Sequence, residues 1–170
     1  RVYHRLFDSD RGRLPAVLAE MAPYRKILAA QLEAAASDET FEVTARMRAR
    51  LALLKDDPSQ IRPIGDWLLG ASPNDLIVAL SVIDDTTNAL SQKAWSVLED
   101  QEARYAMGIR AAAIAAATSP TDVRWTALRE KIAGWVLSLG SEGIGLWLDP
   151  LQPIAVHLRE PLREIYDGER

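Results

Sequence analysis

Three observations predict an all-α fold. Apolar residues recur at steps of three and four along most of the chain, helix-capping signals punctuate it, and no alternating strand pattern bounded by turns occurs. With 170 residues and 48% hydrophobic content, the chain is long enough to bury a core without disulfide or metal staples. Residues 1–170 read as a single helical domain of about six to eight helices, a compact bundle in orthogonal or up-and-down arrangement with no sheet. The chain opens on Arg1-Val2-Tyr3-His4 with neither methionine nor an apolar leader, which reads as a processed protein or a piece cut from a longer one.

The elements follow in order. Leu14, Val17, Leu18 and Met21 form one apolar stripe, and Ile27, Leu28 and Leu32 a second. Pro23 disfavours helix at Ala22, so two short helices are expected in place of one long one. Ser37-Asp38-Glu39 offers a cap and an acidic first turn to a helix carrying Val43, Met47, Leu51 and Leu54, which should stop near Asp56. Four later starts share one grammar: Asp57-Pro58-Ser59-Gln60, Ser72-Pro73-Asn74-Asp75, Ser119-Pro120-Thr121-Asp122 and Asp149-Pro150-Leu151-Gln152. In each, Ser or Asp can accept from first-turn amides, and proline takes the first helical position, where its missing N–H costs nothing.

Ile61 to Leu69 reads as a short helix or irregular turn that ends at Gly70. Leu76, Leu80, Ile83, Thr87, Leu90, Ala94 and Leu98 keep one face apolar through residues 72–117, the central layer, which finishes in the alanine run 111–117. Unbroken, that stretch would be roughly 70 Å long at 1.5 Å per residue. A break is therefore expected at Asp84-Asp85 or between Glu99 and Glu102. Trp125, Leu128, Ile132, Trp135, Val136 and Leu139 make the clearest amphipathic stripe, closed at Gly140 by a left-handed cap. Gly140-Ser141-Glu142-Gly143-Ile144-Gly145 reads as a loop, and a last helix, interrupted by Pro153 and Pro161, follows Asp149.

Composition excludes several function classes. The absence of cysteine removes disulfides, thiolate ligands and cysteine nucleophiles. The longest apolar run, Leu76 to Leu80, is far short of the roughly 18 residues of a membrane-spanning helix. The net charge of -4 is concentrated in the middle of the chain, which repels phosphate and argues against nucleic acid as a partner. Arg46, Arg48 and Arg50 have no interleaved aromatics and read as a solvated helix face.

Few residues point to chemistry. Asp84-Asp85-Thr86-Thr87-Asn88 is the sharpest constellation: adjacent carboxylates followed by an amide can hold magnesium through oxygen. It resembles the aspartate-rich helical motif with which all-α isoprenoid synthases bind diphosphate, and this resemblance implies a metal- or diphosphate-dependent reaction centred on Asp84 and Asp85. A helix cap is the stronger reading, since no second acidic motif completes a metal site. His157 and Glu160 stand three apart on a helix, but the only other histidine is His4, in an end that reads as mobile. The glycines at 140, 143 and 145 lack the spacing and the following lysine of a phosphate loop. Of five tryptophans, Trp67 and Trp147 stand beside glycine and proline in expected loops, which makes them the best placed for ligand or partner contact.

The sequence therefore reads as a helical-bundle interaction or scaffold module of bacterial type, without catalysis of its own. It would have a protein partner or a second copy, no cofactor or metal, and a cytoplasmic setting. A small-ligand-binding regulatory domain with an apolar, tryptophan-lined cavity is the first alternative, and the Asp84/Asp85 enzyme the second.

Overall fold

The computed structural model describes residues 1–83 and 87–168, and among these residues the chain is helical almost throughout, with no strand. Among the described residues eleven α-helices follow one another, more than the six to eight expected: α1 (Val2–Asp8), α2 (Leu14–Met21), α3 (Arg25–Ser37), α4 (Val43–Leu53), α5 (Ile61–Leu68), α6 (Pro73–Val82), α7 (Thr87–Glu99), α8 (Tyr105–Thr118), α9 (Trp125–Leu137), α10 (Gly140–Leu151) and α11 (Ala155–Gly168). The excess has local causes. Residues 2–8, for which the sequence predicts no helix, form α1 and bury Leu6 completely, so His4 sits in an anchored element. The break at Pro23 is present as a 3-10 turn, Ala22–Tyr24, between α2 and α3.

Two of the four predicted caps are made. The Ser72 hydroxyl accepts from the Asp75 amide at 3.2 Å and donates to its carboxylate at 2.7 Å, which fixes the start of α6. Asp57 accepts from the Ser59 amide at 3.1 Å and opens the 3-10 turn that leads into α5. The other two differ. Ser119 closes α8 rather than opening α9, and Pro150 lies inside α10, where it is buried. Local capping grammar is outweighed there by burial of Trp147, Pro150 and Leu151, which holds the stretch 140–151 in one helix. The glycine-rich segment is thus the first half of α10, not a loop. Gly140 does adopt the expected left-handed conformation, with φ +68°.

The central stretch breaks on both sides. Helix α6 ends at Val82 and α7 begins at Thr87, while Asp84 and Asp85 lie outside the described residues. A second break, between α7 and α8, is shaped by the Asp100 carboxylate, which accepts the Glu102 amide at 2.9 Å. Helix α8 is the centre of the core: Ile109 and every residue from Ala111 to Ala116 are buried, and α6, α7, α9 and α10 pack around it. Small side chains allow this close approach. Gly108 is the extreme case, since a Cβ there would lie 2.5 Å from the Trp135 indole on α9. One contiguous apolar cluster runs from Leu6 on α1 to Leu158 on α11.

Short helices end inside this packing, and their last carbonyls need donors. Long cations supply them from neighbouring helices. Arg48 Nη1 on α4 donates to the carbonyls of Leu6, Phe7 and Ser9 at the end of α1, at 3.1, 2.9 and 2.9 Å. Arg50 Nη2 reaches the Ala36 carbonyl at the end of α3 at 3.0 Å, and its Nη1 meets Gln60 at 2.7 Å. Arg110 Nε on α8 donates to Ala71 beyond α5 at 2.7 Å, and Lys131 on α9 closes α7 through Leu98 and Asp100 at 3.0 and 2.7 Å. The reading of Arg48 and Arg50 as a solvated face is therefore corrected: both are half-buried and bind helix ends. No described helix is long and apolar enough to cross a membrane.

Candidate functional site

Helices α10 and α11 are joined by the 3-10 turn Gln152–Ile154, and each presents an apolar stripe at helical spacing. On α10 the stripe is Ile144, Trp147, Leu148 and Leu151; on α11 it is Ala155, Leu158 and Leu162. The two stripes face one another over Val136 of α9 and leave a half-open groove of about 250 Å³. Its floor is buried, because Val136, Trp147, Leu151 and Leu158 all belong to the core. One wall is not: Leu148 is 62% exposed, although it stands in the same stripe as Trp147 and Leu151. Leu146 and Val156 add exposed apolar surface on the same two helices.

Arg159, one residue after Leu158, is the single charged side chain among the described lining residues. It is exposed and makes no ion pair or hydrogen bond among the described residues, whereas its neighbours are paired. Glu160 meets Arg129 at 3.1 Å, and Arg163 meets Asp167 at 3.5 Å. Trp147 is anchored from behind by the Arg110 guanidinium, 5.3 Å from its ring centre. Burial lowers the Arg110 pKa, a shift that leaves the group charged at neutral pH.

The residues singled out in the sequence fall in different places. Trp147 lines the groove, though from within α10 and not from a loop. Trp67 lies on α5, half-buried against Leu14, Arg48 and Val78 around a gap of about 10 Å³, at the lower limit for one water molecule. The two tryptophans do not share a site. Asp84 and Asp85 lie outside the described residues. His157 and Glu160 are not brought together by a third ligand, and no group of three or more His, Asp or Glu side chains able to hold a metal occurs among the described residues.

A larger depression, about 720 Å³, lies between α2, α4 and α6, with Leu18, Met21, Leu51 and Leu54 in its walls. Its polar groups are mostly engaged. Arg25 Nε is 3.2 Å from the Asp56 carboxylate, and the Ser81 hydroxyl donates to the Val78 carbonyl at 2.7 Å. Lys55, exposed in its lining, makes no hydrogen bond or ion pair among the described residues, as Arg159 makes none in the α9–α11 groove; the groove is set apart by its two facing apolar stripes. Periodicity shows the stripe 155, 158, 162 in the sequence, but nothing local shows that its neighbour would leave it partly uncovered.

No protein family, curated protein or solved structure matches the chain. Its function is argued from geometry.

Proposed function

We propose that this chain is a helical-bundle interaction module, without catalysis of its own, that takes an apolar helix of a protein partner into the groove between α10 and α11. The observation that carries this reading is Leu148, a large aliphatic side chain 62% exposed on the wall of an apolar groove whose floor is buried. Walls made of two helical stripes match side chains that recur at i, i+3/i+4 and i+7 on a third helix, which is how amphipathic helices dock in grooves. A volume of about 250 Å³ is below the range of roughly 300–1,000 Å³ common for small-molecule pockets, and the groove is open along one side.

The test is selection from a display library of amphipathic helical peptides with large apolar residues fixed at i, i+3 and i+7. Peptides selected on the wild-type chain should lose about tenfold or more in affinity on Leu148→Glu, because a charged carboxylate would replace an apolar contact. Circular dichroism and urea denaturation check that the variant stays folded. Failure to select any peptide, or binding that is indifferent to Leu148→Glu, overturns the reading.

A further inference from the structure

Resting on that reading, we infer that the partner helix carries an acidic residue placed to meet Arg159 at the lip of the groove. Several cations are engaged within the fold. Arg48, Arg50, Arg110 and Lys131 each reach carbonyl oxygens of another helix end, Arg25 and Arg129 face carboxylates, and Arg124 pairs with Asp122 and Glu99. Arg159 stands in the lining of the apolar groove with no such acceptor among the described residues. Its stem lies one position from Leu158 and three from Leu162, so its guanidinium sits where the apolar stripe meets water.

A helix docked over Leu148 would shield that guanidinium from solvent on one side. A partner that offered no acceptor would leave a partly desolvated charge, and a basic residue there would add repulsion. A carboxylate at the lip removes both penalties, and beside an apolar wall its attraction to the guanidinium exceeds that in open water. Arg159 thus selects among helices that the apolar stripes alone would accept alike. A free fatty acid offers a carboxylate too, but it supplies no side chains at one-turn intervals to meet two helical stripes.

The experiment uses the helix library on the wild-type chain and on Arg159→Glu. Wild-type selection should enrich Glu or Asp at one position next to the apolar anchors, and Arg159→Glu selection should enrich Lys or Arg at the same position. In synthetic peptides of one selected sequence, Glu→Lys at that position should weaken binding to the wild type about tenfold and strengthen it to Arg159→Glu. Peptides that bind, and that lose affinity on Leu148→Glu, yet show no charge preference would overturn the acidic partner and leave the groove reading intact. Peptides indifferent to Leu148→Glu would overturn both. Two other results would also overturn it: a concentration-dependent dimer dissolved by Leu148→Glu would assign the face to a second copy, and dodecanoate that excludes the peptides would assign it to an amphiphilic carboxylate.

Discussion

Helices α4 and α11 both carry arginines beside apolar stripes, and the fold treats them in opposite ways. On α4, Arg48 and Arg50 are half-buried and donate to carbonyls where α1 and α3 end against that helix. On α11, Arg159 lines a groove that also holds Leu151, the last residue of α10, yet it makes no hydrogen bond or ion pair among the described residues, and Leu148 in the same lining is exposed. What separates the two is not residue type or spacing but whether the guanidinium reaches an acceptor on a neighbouring helix. One face has its arginines engaged, and the other leaves an exposed apolar wall beside an arginine with no acceptor among the described residues.

The largest expected effect breaks this contrast at its apolar positions. Leu32 on α3 is fully buried beneath α4, so Leu32→Ala should cost about 2–5 kcal/mol in urea denaturation. Leu148→Ala removes a side chain that is mostly in water and should cost less than about 0.5 kcal/mol. A cost for Leu148→Ala near that of Leu32→Ala would mean that the groove wall is part of the core and has no surface left to offer.

These differences were only partly legible in the sequence. Ser72, Asp57, Pro23 and Gly140 act through their own or adjacent turns, so their effects are readable without the fold. Arg48 acts on carbonyls about forty residues away, and a solvated face is the natural reading of Arg46, Arg48 and Arg50 when those partners are unseen. Residues 140–151 fail in the same way. Glycine and proline argue locally for a loop, while Trp147 and Leu151 gain enough by burial to hold a helix. Trp147 is legible as a contact candidate through its residue type alone; Leu148 and Arg159 become visible only when two helices leave a gap between them.

The second contrast is polar. Arg48→Met keeps the stem and removes three charge-assisted hydrogen bonds, leaving part-buried carbonyls short of donors, at a cost of about 1–3 kcal/mol. Hydrogen exchange should show the loss in the amides of α1 before it reaches α3. Arg159→Met should stay within about 0.5 kcal/mol of wild type, since Arg159 makes no hydrogen bond or ion pair among the described residues. Equal costs for the two would remove the distinction between a structural arginine and an available one.

Arg124 stands between these cases and gives the smallest effect. It is surface-placed like Arg159 yet partnered like Arg48: its guanidinium lies 3.9 Å from the Trp95 ring centre and donates to Asp122 at 3.0 and 2.8 Å and to Glu99 at 3.1 Å. The Arg124 side chain, and then its backbone amide, hydrogen-bond the Asp122 carboxylate and lower its pKa from 3.8 to about 2. A depressed carboxylate stabilises the folded chain above its unfolded pKa and ceases to do so as pH falls through its folded one. The thermal midpoint of wild type should therefore exceed that of Asp122→Asn at neutral pH, with the gap closing as pH is lowered from 3.8 to about 2. Arg48 binds carbonyls, which do not titrate, so the gap between wild type and Arg48→Met should show no such closure in that window. A gap for Asp122→Asn that is constant through the same window would show that the carboxylate contributes by hydrogen-bond geometry alone, and that its charge adds nothing at this corner.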